Sequence, residues 1–270
     1  MKILICDRDR LASQLLQSRL ESEGHQVVVE PVRKTAFEMV DQEHFDVVAF
    51  DPAPLPSARQ VTLPLRWEQR PEYLYLIQLG HEPDHAEVVR CGLNDAIAKP
   101  FDWKEVSEKI ENAARLTQFM NRLSGTQEVR SINEFVFGKR AFCKLVLSAL
   151  DRACRYGEQG FLLTIRLNNL DDIIAQRGEE RALAILGNIE KYLGKLHRLS
   201  DFLGHTETSE YTLLLLRPAV DTEPQDALER FSIALREHQV QYQKPEQPHF
   251  IIELWELPSA RIVSQNHLTG

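Results

Sequence analysis

Over roughly the first 120 residues, short dense apolar runs alternate with helical patterns. This alternation constrains the fold more than any other feature of the chain. The apolar runs are Lys2–Cys6, Val27–Val29, Phe45–Phe50, Tyr73–Leu79 and Ala96–Ala98. Between them, Leu11, Leu15, Leu16 and Leu20 fall at helical spacing and stop at Gly24; Thr35–Gln42, Asp84–Leu93 and Trp103–Leu123 also read as helices. A segment with Pro52, Pro54, Pro56 and Pro64 reads as a loop. Strands that alternate with helices pair in parallel through crossovers. Runs without polar alternation belong to strands buried on both faces. The expected fold is a flavodoxin-like, doubly wound parallel sheet. In such a sheet the site lies beyond the carboxyl ends of the strands, where this sequence places Asp7, Arg8, Asp51, Leu79 and Lys99.

The chain has 270 residues, enough for about 1.8 domains of ordinary size. With 43% hydrophobic and 27% charged residues it is neither disordered nor fibrous. Lys and Arg number 32 against 40 Asp and Glu, a net charge of −8, which argues against nucleic acid as a partner. No window holds 18 successive apolar residues, so no membrane span is expected. Met1–Ile5 reads as a strand and not as a signal peptide. Cys6, Cys91, Cys143 and Cys154 are scattered without a Cys-x-x-Cys pair, as in a reduced, cytoplasmic protein.

The stretch from Met1 to about Arg122 resembles the receiver domain of two-component response regulators. Ile3-Leu4-Ile5-Cys6-Asp7 is similar to the family's first strand with its acidic end, and Asp51 stands where the phospho-accepting aspartate belongs. Gly92-Leu93-Asn94-Asp95-Ala96-Ile97-Ala98-Lys99-Pro100-Phe101 is similar to the pattern before the last helix. The resemblance implies phosphorylation of Asp51 assisted by Asp7 and Lys99, with Mg²⁺ on Asp7 and Asp51. Three parts depart from it: Arg8 replaces the second acid of the metal pair, Leu79 the switch hydroxyl, and Ala96 the fifth-strand aromatic. Arg8 opposes a metal and is expected to pair with Asp51 in its place. The other reading is a receiver-like docking or dimerisation module.

Val106, Ile110, Ala113, Leu116, Met120 and Leu123 keep a spacing of three and four. The stripe suits pairing with its twin in a homodimer, or packing on its own sheet. Beyond it, helices at Arg140–Tyr156, Asn169–Gln176, Leu183–Leu196 and Asp226–Glu237 mix with strands at Phe161–Leu167, Glu210–Leu216 and Phe250–Trp255. This is an α+β, ferredoxin-like pattern. The stretch from about Ser131 to Leu257 resembles a diguanylate cyclase (GGDEF) domain. Lys139-Arg140-Ala141-Phe142 is similar to its opening helix, Leu163–Ile174 with Asn169 to its guanine cradle, and Glu207-Thr208-Ser209-Glu210-Tyr211 stands at the signature hairpin. The resemblance also marks losses. Arg166 and Asn168 stand at acid positions, Glu207 and Thr208 at the two glycines, Ser209 at the signature acid, and Ala175 and Leu183 at further acids. A cyclase needs carboxylates for its metals and glycines beside the phosphates, so no enzyme is expected. Arg198-Leu199-Ser200-Asp201 matches the spacing of the family's product-binding Arg-x-x-Asp motif. An Arg fork suits a phosphate or the guanine Hoogsteen edge, and Asp accepts from guanine N–H groups.

The expectation is a non-catalytic signalling protein. A receiver-like domain spans 1–122, a helical linker end 123–130, a degenerate GGDEF-like domain 131–258 and a loose polar tail 259–270. It requires no cofactor. Its partners are signalling proteins, a histidine kinase among them, a second copy of the chain, and cyclic di-GMP through Arg198 and Asp201. A ligand-free scaffold is the alternative reading.

Overall fold

The structure, a computed structural model, describes residues 1–67, 73–81, 83–125, 133–198, 200–244 and 246–269. It divides into two compact units: Met1–Asn121 with Asp151–Gly157 and Pro258–Ala260, and Arg122–Leu150 with Glu158–Leu257 and Arg261–Gly270. Most of the linker end expected at 123–130 lies outside the described residues.

The first unit runs β1 (Lys2–Cys6), α1 (Arg10–Ser22), β2 (Gln26–Val29), α2 (Arg33–Gln42), β3 (Val47–Phe50), α3 (Arg59–Trp67), β4 (Tyr75–Gly80), α4 (His85–Arg90), β5 (Asp95–Ala98) and α5 (Trp103–Ser124). Its sheet is wholly parallel with order β2-β1-β3-β4-β5. That is the flavodoxin-like, doubly wound order expected from the alternation. Ile3, Leu4, Ile5, Val47, Val48, Leu76 and Ile77 are completely buried, as strands covered on both faces must be. Asp9 caps α1 by accepting from the backbone N–H groups of Leu11 and Ala12. The four-proline segment is not a bare loop. A 3₁₀ turn at Leu55–Ala58 leads into α3, which carries Pro64 inside it. Burial of Thr62 and Leu65 on one face holds the helix there, although Pro64 offers no N–H.

Along the α5 stripe Val106, Ile110, Ala113, Leu116, Met120 and Leu123 are all at most 3% exposed.

The second unit follows with α6 (Lys139–Tyr156), β6 (Gly160–Leu167), α7 (Leu170–Arg177), α8 (Glu179–Leu196), β7 (Phe202–Glu207), β8 (Glu210–Leu216), α9 (Glu223–Gln239), β9 (Phe250–Leu257) and β10 (Arg261–Leu268). Its sheet is antiparallel with order β10-β9-β6-β8-β7. The α8 face turned inward is Ala182, Ile185, Leu186, Ile189 and Leu193, whereas Leu183, the first residue of the helix expected there, is exposed. Gly178, at φ 83°, supplies the left-handed residue that breaks α7 from α8. A side chain at Gly204 would overlap the Phe142 ring, so the sheet needs a glycine there to seat α6.

The tail expected to be loose is a strand. Residues 261–268 pair antiparallel with β9 as β10, Leu268 is buried, and Val263 packs on the core. Alternating apolar and polar residues suit a half-buried edge strand, and the polar content alone concealed it. Among the described residues, no helix is long and apolar enough to cross a membrane.

Candidate functional site

The parallel register builds the first cluster. Cys6 of β1 lies beside Phe50 of β3, so the next residues, Asp7 and Asp51, emerge side by side. Gly80 of β4 pairs with Ala98 of β5, and Lys99 follows. The Lys99 ammonium reaches Asp7 Oδ2 at 2.5 Å and Asp51 Oδ2 at 3.2 Å. Burial lowers the Lys99 pKa, but the hydrogen bond and charge of Asp7, with those of Asp51, outweigh it, and the net shift is upward. Asp7 Oδ1 also accepts from the Asp9 backbone N–H at 2.9 Å.

The cation expected at Asp51 is a different one. Arg8 is exposed, and the Asp51 carboxylate pairs with Lys99. A residue not singled out in the sequence, Arg33 at the start of α2, donates from Nη2 to the Asp51 carbonyl at 2.9 Å. Two carboxylates, Asp7 and Asp51, thus share the Lys99 ammonium, and Arg33 holds the Asp51 backbone. Leu79 is completely buried and brings no hydroxyl to this end of the sheet. Among the described residues, no group of three or more His, Cys, Asp and Glu is placed to hold a metal. Burial lifts the Cys6 thiol, one residue before Asp7, to about 11.

The antiparallel register builds the second cluster. Arg166 on β6 stands directly opposite Glu210 on β8. Arg166 Nε and Nη2 both donate to Glu210 Oε2, at 3.0 and 2.8 Å. Thr206 Oγ1 donates to Glu210 Oε1 at 3.0 Å, and Arg122 Nη2 lies 3.6 Å from the same oxygen. Glu210 is 3% exposed. Glu207, at the first signature-glycine position, is neutralised by the buried Lys139 at 2.7 Å. The two-residue β7–β8 turn, Thr208-Ser209, is made without a positive φ, and the ladder shifts register between His205 and Glu207. Asn169 spends both polar atoms on backbone: Nδ2 donates to the Gln247 carbonyl, and Oδ1 accepts from the His249 N–H. Ala175 and Leu183 are exposed and carry no charge.

A third cluster lies at the end of α8 and the start of β7. Arg198 is exposed, and its Nη1 pairs with Glu223 Oε1 at 3.0 Å. The Asp201 N–H donates to the Arg198 carbonyl, which makes the turn that joins them. Arg230 of α9, missed in the sequence, brings Nη2 to 3.8 Å from Asp201 Oδ2. Its Nε and Nη2 are buried with no hydrogen-bond partner among the described residues. Burial and the neighbouring charge of Arg198 hold the Arg230 pKa below its ordinary value. Its signal was an arginine next to the inward residues Ala227, Leu228 and Phe231 of an amphipathic helix.

No family model matches the chain. A curated relative, a probable transcriptional regulator ycf27 of Galdieria sulphuraria, is 29% identical over 115 residues, 42% of this chain and 45% of that protein. The chain spans about half the length of the first curated relatives it matches. Among solved structures, the chemotaxis response regulator CheY4 of Vibrio cholerae aligns with TM-score 0.38 and 18% identity, over 42% of this chain and 97% of that one. The GGDEF domain of PA1120 (TpbB or YfiN) from Pseudomonas aeruginosa aligns with TM-score 0.37 and 21% identity, over 44% of this chain and 70% of that one. The sequence relatives, the β2-β1-β3-β4-β5 order and the meeting of Asp7, Asp51 and Lys99 support an N-terminal receiver domain of the response-regulator type.

Proposed function

We propose that this chain is a non-catalytic signalling protein whose second unit, a degenerate GGDEF-type domain, binds cyclic di-GMP through Arg198, Asp201 and Arg230. The observation that carries the reading is the Arg230 guanidinium. It is brought beside Asp201 with two nitrogens buried and without hydrogen-bond partners. Buried donors without partners are costly, and a phosphate or a guanine edge would satisfy them. Two arginine forks and one carboxylate suit a ligand that carries guanine N–H donors, Hoogsteen acceptors and phosphates together.

The absence of catalysis follows from charge. Glu210 is already held by Arg166, Thr206 and Arg122, and Glu207 by Lys139. A divalent ion would have to displace a guanidinium that is covalently part of the sheet. In the receiver domain, Lys99 pairs with both Asp7 and Asp51, and the Arg33 guanidinium lies against the Asp51 backbone carbonyl, so the site's pull on Mg²⁺ is weakened. Phosphorylation of Asp51 is therefore not required in this reading, and the receiver serves to dock signalling partners. A histidine kinase belongs among the candidate partners.

The test is a calorimetric titration of cyclic di-GMP into the full chain, beside Arg198→Ala and Arg230→Ala. Micromolar affinity, about −8 kcal/mol, that is lost in both variants supports the reading. No heat with the wild type retires the ligand and leaves the scaffold reading.

A further inference from the structure

The Arg198–Glu223 pair is the contact that ligand binding must change. We infer that Glu223 is an internal competitor for the ligand's phosphate, a latch on Arg198 that sets the affinity of the site. This inference rests on the cyclic di-GMP reading above.

Three observations support it. Glu223 Oε1 takes Arg198 Nη1 at 3.0 Å, which occupies part of the donor fork a phosphate would use. Glu223 is held in place independently of Arg198: its Oε2 accepts from the Ala219 backbone N–H at 2.7 Å. It is also the first residue of α9, where a carboxylate is favoured by the helix dipole and Pro224 follows. The carboxylate therefore does not have to be ordered when it closes on Arg198. The pair is also open to solvent, with side chains 55% and 34% exposed, so an arriving anion can reach it. Arg230 differs, because its nearest acid, Asp201, is at the looser distance of 3.8 Å. The site thus holds one arginine engaged by an acid and one with donors to spare. Binding exchanges a carboxylate for a phosphate on Arg198, so the cost of release is set by Glu223.

Glu223→Gln keeps an oxygen for the Ala219 N–H and removes the charge. An exposed ion pair contributes little, so the expected gain is modest: Kd falls by about two- to fivefold. Glu229→Gln removes the same charge from an exposed position on the same helix and is expected to leave Kd unchanged. The gain should vanish when Glu223→Gln is combined with Arg198→Ala. Calorimetry of the full chain with cyclic di-GMP reads the wild type and these three variants, with circular dichroism to confirm that each folds. Binding by the wild type with no tightening in Glu223→Gln overturns the latch and leaves the ligand reading standing. An equal gain in Glu229→Gln also overturns it, since the effect would then be one of general charge. No binding by any folded variant overturns both.

Discussion

Removing Arg166 tests whether the β6–β8 ion pair has taken over the place that a metal would need. In Arg166→Met the apolar stem remains and the guanidinium is lost. Glu210, 3% exposed, then keeps only the Thr206 hydroxyl at 3.0 Å and Arg122 at 3.6 Å. Breaking a fully buried pair costs about 3–5 kcal/mol. Arg166 is 43% exposed, so water screens part of its charge, and two partners of Glu210 survive. The loss expected is about 2 kcal/mol, within the range for hydrogen bonds to charged groups. At a few degrees per kcal/mol for a domain of this size, the second unit's melting midpoint should drop by about 6 °C. Glu210→Gln in the Arg166→Met background removes the stranded charge and should recover at least half of the loss. Urea titration followed by circular dichroism, on both single variants and the double, gives the coupling directly. A cost below about 0.5 kcal/mol, typical of an ordinary surface substitution, or no coupling, would refute the argument.

Two further predictions concern charge. Titrating Mg²⁺ into the wild type should give no saturation in the submillimolar range, and Arg8→Asp, which adds a carboxylate next to Asp7, should bind it more tightly; submillimolar binding by the wild type would contradict the charge balance at Asp51. Acidification should lower stability, because burial holds the pKa values of His25, His205 and His238 below the ordinary imidazole value. The unfolded chain therefore takes up protons first as pH falls through about 6.5. The melting midpoint should decline from pH 7.5 to 5.5, less steeply in His205→Gln, and a midpoint that rises over that range would contradict this reading.

The receiver fold was legible because its signal is coarse. Strands buried on both faces leave apolar runs that need no partner information, and the residue after each run is the site. Asp7, Asp51 and Lys99 were found this way. Arg33 was not, because it starts a helix 18 residues before Asp51 and reaches only a backbone carbonyl, a contact with no sequence pattern. The expected Arg8–Asp51 pair failed for a related reason: adjacency to Asp7 in sequence says nothing about which way a loop side chain turns. The substitutions at Arg166 and Glu207 were visible as departures from a family pattern. Their mutual compensation was not, since it depends on the β6–β8 register and on Lys139 reaching across from α6. Arg198 and Asp201 carried a spacing motif, whereas Glu223 and Arg230 join them only through packing of α9. β10 was hidden because an edge strand with one solvated face has the composition of a loop.

Hydrogen exchange with and without cyclic di-GMP tests the central claim most directly, because it reports where the nucleotide sits. The account predicts slowed exchange in 196–204 and in the first two turns of α9, with none at 163–170 or at the 205–212 hairpin, where internal ion pairs already fill the space. Protection centred on that hairpin, or none anywhere at saturating ligand, would contradict it.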